Sequence, residues 1–429
     1  MLTKSMTIKE NHLYIGSFKA SDLAKRYGTP VIIYDEEEIK KQIEAFIKYF
    51  KSNKYQTHIV YASKAYLSPY ICQLIDDYQM EIDVVSLGDL YLVESSGFPL
   101  SKVLFHGNNK SLAELEYAVS HKVGILVVDN YDELMTIMEL AEKYQTVVNT
   151  MFRINPGIEA STHEYIQTSL LSSKFGESIF DEETIDKVMK LYEKNHLVHL
   201  LGFHAHIGSQ IVSEKPFIAS AKTLIEFTKK IQDQYNYKLS AVNLGGGFGI
   251  KYLDSDEECD LSHTLPKMIE SIDELINEYE LSISDIYIEP GRSIVGKAGF
   301  TLYQAGIIKR TYGGKNFLFV DGGMTDNIRP ALYQAKYTVK IVDKMEDEPI
   351  LKVDVVGKCC ESGDIVSKDV MIPMVSKGDY VGVFVTGAYG YAMASNYNGA
   401  LKPPVIFVSN DKIKVVSRKE SVKDLMKLY

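Results

Sequence analysis

The chain contains no tryptophan and only four cysteines, Cys72, Cys259, Cys359 and Cys360, among 429 residues. Cysteine this sparse excludes a disulfide-stapled secreted scaffold, and the adjacent pair is awkwardly placed to bridge itself, so a cysteine with a task is expected to work as a thiol. Uninterrupted apolar runs of about 18 residues are also missing, which removes a membrane span. The segment Met1–Glu10 has charged and polar residues spread through it where a secretory signal would need an apolar core, and the expected location is cytoplasmic. Positive charge is in deficit: 47 Lys and Arg against 57 Asp and Glu leave a formal net charge of -10. A polyanion such as nucleic acid is therefore not the expected partner, whereas a local basic pocket for a small anion remains open. No low-complexity linker divides the sequence, and its length predicts two domains sharing an interface.

What is present is an alternation. From about residue 55 to 290, short runs rich in β-branched and aromatic residues alternate with segments of helical periodicity, the pattern of a parallel sheet built from βα units. Eight runs qualify: Thr57–Ala62, Ile82–Ser86, Val103–His106, Ile125–Asp129, Asn149–Ile154, Leu201–Ile207, Ala241–Leu244 and Ile286–Glu289. Helices are predicted between them at Leu112–His121, Tyr131–Lys143, Glu182–Glu193 and Lys215–Gln234, with apolar residues three to four apart. Eight such units predict a (β/α)₈, TIM-like barrel over residues 36–290. After Gly296 the pattern turns to strands separated by Gly, Pro and Asp, an all-β region. Two early strand candidates, Leu13–Ile15 and Val31–Tyr34, are placed with it, so the β-rich domain is expected to combine 1–35 with 291–429.

Unusual residues fall at the C-terminal ends of the barrel strands, the face on which this architecture builds active sites. The first strand ends Tyr61-Ala-Ser-Lys64-Ala, and a lysine at a barrel mouth can attack a carbonyl when its amine is neutral; alone it would pass for a solvated surface lysine. The seventh runs into Leu244-Gly-Gly-Gly-Phe-Gly249, whose small residues let backbone amides approach a phosphate; the plain alternative is a tight turn. It is no dinucleotide fingerprint, because Ile250 stands where a third glycine is needed, and no Gly-x-x-x-x-Gly-Lys-Ser/Thr occurs. The eighth ends Glu289-Pro-Gly291-Arg292-Ser, a carboxylate and a guanidinium on one turn, which by itself could be an ordinary ion pair.

The sixth strand carries His204-Ala-His206-Ile-Gly-Ser209, and a period of two puts both histidines on one face. A metal site would need more ligands at other strand ends, and His106 is the only other histidine there, so no metal is expected. His206 is preferred as a ring stacked on a cofactor with Ser209 near a phosphate, and His204 as a core histidine. Beyond the barrel, Gly357-Lys-Cys-Cys360-Glu361-Ser-Gly-Asp364 sets a thiol beside a carboxylate in a polar, turn-rich segment. Arg329-Pro-Ala-Leu-Tyr333 and Gly387-Ala-Tyr389-Gly-Tyr391 add a guanidinium and phenols suited to carboxylate and phosphate groups.

Taken together, these segments resemble the diaminopimelate decarboxylases of the alanine-racemase-like, fold-type III group of pyridoxal-phosphate enzymes. The resemblance runs from Gly28-Thr-Pro-Val to Ala388-Tyr-Gly-Tyr-Ala-Met-Ala-Ser-Asn-Tyr-Asn398. It includes Tyr61-Ala-Ser-Lys-Ala65, Asp83-Val-Val-Ser86, His106-Gly-Asn-Asn-Lys110, Ser173-Lys-Phe-Gly176, His206-Ile-Gly-Ser-Gln210 and Glu289-Pro-Gly-Arg292. It implies pyridoxal 5'-phosphate joined to Lys64, Glu289 on the ring nitrogen, His206 stacked on the ring, and Asp83 among the cofactor-binding residues. Gly245, Gly246, Gly247, Ser209 and Tyr389 would hold the phosphate, with Gly291 and Arg292 lining the same region. Substrate carboxylates would meet Arg292, Arg329, Tyr333, Glu361 and Tyr389, and Cys360 would return a proton to the product. A homodimer with shared sites is also implied.

Tyr66, Leu87, Asp89 and Ser169 depart from the family's usual wording, all away from the reacting atoms. Two rivals stay open: a decarboxylase of the same fold acting on ornithine, arginine, carboxynorspermidine or a siderophore precursor, and a non-catalytic pyridoxal-phosphate-binding homologue.

Overall fold

The computed structural model describes residues 2–157 and 173–429. Residues 158–172, Ser169 among them, lie outside the described residues. The chain divides into two compact units, one of residues 43–249 and 258–291, the other of 1–42, 250–257 and 292–429.

The first unit is a closed, all-parallel barrel of eight strands: β1 (Gln56–Ala62), β2 (Glu81–Val84), β3 (Val103–Phe105), β4 (Ile125–Val128), β5 (Val148–Asn155), β6 (Val198–His204), β7 (Ala241–Asn243) and β8 (Asp285–Ile288). Closure comes from β8 beside β1, with Ile288 opposite Ile59, and from β4 beside β5, with Val127 opposite Met151. Val60, Leu104, Ile125, Val127, Met151, Ala241 and Tyr287, drawn from six strands, form one buried apolar cluster. Each Val, Leu, Ile or Met side chain among them stabilises the barrel by about 1.5–3 kcal/mol when removed from water.

Local sequence chemistry starts the intervening helices. Ser86 caps Leu87–Ser95, Ser111 and Glu114 make a reciprocal capping box on Leu112–Ser120, and Asn130 caps Tyr131–Tyr144. These side chains satisfy backbone N–H groups that have no partner within the helix. Ser86, expected inside a strand, is thus the first residue of the next element.

The sixth strand lies three residues earlier than its apolar run suggests. A register shift between Leu200 and Gly202 disturbs its pairing with β5, and at Gly202 a Cβ would stand 1.7 Å from the Ala241 carbonyl oxygen of β7. The strand ends at His204, so His204 and His206 do not share a strand face. The helix Leu261–Glu278, which carries Pro266 inside it, completes the ring after β7.

In the second unit, strand Val31–Asp35 lies between Gly299–Arg310, to which it is antiparallel, and Val405–Ser409, to which it is parallel. The N-terminal segment thereby completes the C-terminal sheet, as the sequence pattern anticipates. The core joins Leu13, Ile15, Val31 and Ile33 with Tyr252, Phe300, Leu318, Val355, Val383 and Ile406. Three strands of this unit have no counterpart in the sequence pattern: the short Met6–Lys9 and Phe18–Lys19, and Ile365–Ile372, where Ser367, Lys368 and Asp369 interrupt the alternation and Asp369 adopts a positive φ of 54°.

Candidate active site

At the end of β1 the chain turns through a short 3-10 segment, Ser63–Ala65, which holds Lys64 exposed between two buried residues. The turn is pinned on both sides. The Ser63 N–H donates to Oδ1 of Asp83 on β2 at 2.9 Å, and the Tyr61 hydroxyl donates to the carbonyl of Tyr66 at 2.7 Å. Burial pushes the Asp83 carboxyl up to about 6; Glu289 adds to the rise, while His106, Lys64 and the Ser63 N–H oppose it. Gly291 closes the seam between β8 and β1, since a Cβ there would stand 2.7 Å from that of Ala62.

Glu289, one residue beyond β8, is 7% exposed. Its Oε1 accepts from Nδ2 of Asn243 at 2.7 Å. Nε2 of His106 lies 2.9 Å from Oε1 and Nε2 of His204 lies 3.3 Å from Oε2, both off the line of a good hydrogen bond. The two rings meet edge to face at 4.9 Å. Burial acts to raise the Glu289 carboxyl, but the two imidazoles outweigh it and hold the group well below the usual carboxylate range. His204, 1% exposed, is driven down to about 4 by burial against the pull of Glu289. No Lys or Arg lies within 4 Å of the Glu289 carboxylate among the described residues.

His204 and His106 were not expected at this position. The ligand atoms of His106, His204 and Glu289 lie within 4.8 Å of one another, a composition that a cation could also use. Asn243 was missed as well. Its only signal is a polar residue closing an otherwise apolar strand, two residues before the glycine run.

His206 lies past β6 and accepts the Gly246 N–H on Nδ1 at 3.1 Å, which leaves the proton of the neutral ring on Nε2. Burial, followed by the positive charge of Lys64, holds its pKa well below the ordinary value. Oδ1 of Asn243 accepts the Gly245 N–H at 2.9 Å. Gly245 and Gly247 adopt φ of 64° and 115°, and a Cβ at Gly246 would stand 2.1 Å from the Glu289 carbonyl oxygen. Only glycine fits this close approach of loop to strand. Ser209, partly exposed, follows Gly208 on the facing loop.

The second unit holds the remaining expected residues. Arg292 is buried with its guanidinium 5.2 Å from the centre of the Tyr389 ring, and its Nε has no hydrogen-bond partner among the described residues. Tyr389 has a φ of 60°, a strained backbone for a bulky residue. Arg329 is buried and lies 5.9 Å from the Tyr389 ring and 6.0 Å from that of Tyr333.

Cys360 and Glu361 are exposed on the turn after strand Leu351–Val356. The turn is organised by Asp364, whose Oδ1 accepts the Met324 N–H at 2.6 Å and Oδ2 the Cys359 N–H at 2.8 Å. Burial and the Asp364 carboxylate push the Cys359 thiol up to about 11. The two adjacent cysteines are therefore unlike: Cys359 is partly buried against a carboxylate, and Cys360 faces outward with its N–H donated to Oδ1 of Asn398 at 2.9 Å.

A lysine at the end of β1, a buried anion at the end of β8 and a glycine loop after β7 are the parts that a pyridoxal-phosphate site on a barrel needs, and the residues present fit that cofactor. The family described as pyridoxal-dependent decarboxylase, pyridoxal binding domain, matches residues 36–296. The chain belongs to this family and is a carboxy-lyase of the pyridoxal-phosphate class. Within it the chain belongs with the diaminopimelate decarboxylases. It is 41% identical to that of Bacillus subtilis over 98% of this chain and 95% of the relative, and 40% identical to that of Staphylococcus aureus over 98% and 99%. The solved diaminopimelate decarboxylase of M. jannaschii in complex with L-lysine superposes with a TM-score of 0.91 at 30% identity, covering 99% of this chain and 97% of that one.

Proposed function

We infer that this chain catalyses the pyridoxal-phosphate-dependent decarboxylation of meso-2,6-diaminopimelate to L-lysine and CO₂. The observation that carries the reading is the buried Glu289 carboxylate, held ionised by the two imidazoles around it and with no Lys or Arg within 4 Å among the described residues. Such a group is suited to a protonated ring nitrogen, and a protonated ring is what decarboxylation asks of the cofactor. The chemistry supplied by bound pyridoxal phosphate is a sink for the electron pair released as the Cα–carboxylate bond breaks.

The chain's own residues do the rest. Lys64 holds the cofactor covalently, on a turn fixed by Asp83. His206 presents a ring face to it. Gly245, Gly246 and Gly247, with Ser209, Gly291, Arg292 and Tyr389, bind the phosphate. Arg292, Arg329, Tyr333, Glu361 and Tyr389 bind the substrate, whose two carboxylates match planar guanidinium groups. Cys360 donates the proton that takes the place of the lost carboxylate on Cα. The barrel of 36–290 is the cofactor-holding domain, and 1–35 with 291–429 the substrate-holding one. A cytoplasmic homodimer, with Cys360 and Glu361 supplied across the subunit interface, completes the reading.

The substrate assignment is tested by measuring CO₂ release from diaminopimelate, lysine, ornithine and arginine. Turnover confined to diaminopimelate is expected, and its absence there with release from another amino acid overturns the assignment. The proton donor is tested by comparing the two cysteines. Cys360→Ala should lower turnover on the order of 10²–10⁴-fold while retaining the cofactor's colour. Cys359→Ala should leave turnover within about a factor of three, because its partly buried thiol is engaged with Asp364 within its own turn.

A further inference from the structure

Arg329 is a buried cation, 6% exposed, and among the described residues no carboxylate lies within 4 Å of it. A buried charge without an opposite charge is costly unless its hydrogen bonds are met or a ligand supplies the counter-ion. Here both hydrogens of one terminal nitrogen are already used: Nη1 donates to the hydroxyl of Tyr252 at 2.8 Å and to that of Tyr337 at 2.7 Å. The end-on fork formed by the two terminal nitrogens is thereby blocked. Among the described residues the side edge, Nε with Nη2, donates to nothing, and that edge can take both oxygens of one carboxylate.

The two phenols are themselves well held. Tyr252 and Tyr337 are 8% and 2% exposed, and their rings meet edge to face at 5.5 Å and 83°. The Tyr252 N–H donates to Oδ2 of Asp256 at 3.1 Å, and the Tyr337 carbonyl accepts the Ser367 hydroxyl at 3.2 Å. An aromatic side chain loses little conformational freedom when fixed, so the pair is a rigid mount. A phenol leaves the guanidinium charge free where an Asp or Glu would neutralise it. This explains why the sequence places tyrosines beside a buried arginine.

We propose that Tyr252 and Tyr337 are positioning residues that aim the Nε–Nη2 edge of Arg329 at the substrate carboxylate retained in the product. They thereby set the enzyme's preference for a substrate with a second carboxylate. The proposal rests on the diaminopimelate reading above. Neither residue touches the reacting atoms; each acts through Arg329.

The test uses the cofactor-loaded enzyme and the variants Tyr252→Phe and Tyr337→Phe, with two competing ligands that differ by one carboxylate: L-lysine, which carries it, and 1,5-diaminopentane, which does not. Losing one hydrogen bond to a charged group should weaken lysine binding and raise KM for diaminopimelate about tenfold in each variant. The kcat should stay within about twofold, the diaminopentane constant and the cofactor absorbance should not move, and the preference for lysine over diaminopentane should fall by the same tenfold. Equal weakening of both ligands, or no change in either, overturns the proposal. Failure of the substrate reading shows separately, as wild-type enzyme that does not decarboxylate diaminopimelate. The lysine-to-diamine ratio is read by binding alone and still decides what the tyrosines do.

Discussion

The two ends of the barrel carry the same residue types in opposite proportion. At the N-terminal end, His58 of β1 sits between two carboxylates, with Nδ1 2.6 Å from Oε1 of Glu81 on β2 and Nε2 2.8 Å from Oδ1 of Asp285 on β8. Its ring stacks on Tyr287 at 4.1 Å and 11°. At the C-terminal end, Glu289 sits between two histidines. The lower cluster is a closed set in which the imidazole gains charge. Burial works against that charge, but the hydrogen bonds and charges of Glu81 and Asp285 outweigh it and raise the pKa of His58. The upper cluster is deeper and does the reverse, with burial holding the His204 pKa down while the carboxylate stays ionised. One end ties three neighbouring strands together, and the other keeps a charge available for a ligand. An ion met by opposite charges on both sides suits a structural cluster; a buried ion with no Lys or Arg against it suits a ligand.

The sharpest break of this contrast is at the upper face. Lys64→Ala should abolish turnover and the borohydride-stable attachment of cofactor, read by mass spectrometry of the reduced protein, with the fold retained by circular dichroism. A label found on another lysine would remove the upper face from the chemistry. Next in size, Glu289→Gln keeps the shape and removes the charge, and turnover should fall on the order of 10²–10³-fold. The melting temperature should stay the same or rise, since a buried charge is weak support for a fold. A variant that lost stability together with activity would make the upper cluster as structural as the lower.

The smallest effect, and one without loss of kcat, belongs to His58→Gln, which should cost about 1.5–3 kcal/mol at pH 6. Because the folded pKa of His58 is raised above its unfolded value of about 6.5, its stabilisation is fully present below that value. It fades as pH rises through the folded pKa. The stability gap between wild type and variant, measured by urea unfolding at several pH values, should therefore narrow toward alkaline pH. A gap that widened instead would mean that the imidazole is neutral in the fold.

Much of the barrel is legible in the sequence because its signals are local. Seven of the eight strands sit within two residues of their apolar runs, and the caps Ser111 and Asn130 stand where their helices begin. The miss at the sixth strand has a physical cause. Leu201–Ile207 reads as one apolar stretch, but the irregular register at Leu200–Gly202 and the departure of the chain after His204 are imposed by the neighbouring strands. That shift separates the two histidines, sending His204 to Glu289 and His206 to the glycine loop. Lys64, Glu289 and the glycine run could be picked out because each closes a strand. Tyr252 and Tyr337 carry no such mark: each is one among 29 tyrosines, 85 residues apart in sequence, and only their shared hydrogen bonds to Arg329 distinguish them.

The sequence by itself determined the alternation of strand and helix, the placement of lysine, glycines and glutamate at strand ends, and the addition of an N-terminal strand to a C-terminal sheet. These follow from periodicity and from turn chemistry, which act over a few residues. The tertiary structure alone decided which imidazoles surround the buried carboxylate, which charges meet an opposite one, and which nitrogen of Arg329 the two tyrosines engage. Those depend on burial and on distances between residues far apart in the chain, and both exist only once the core has closed.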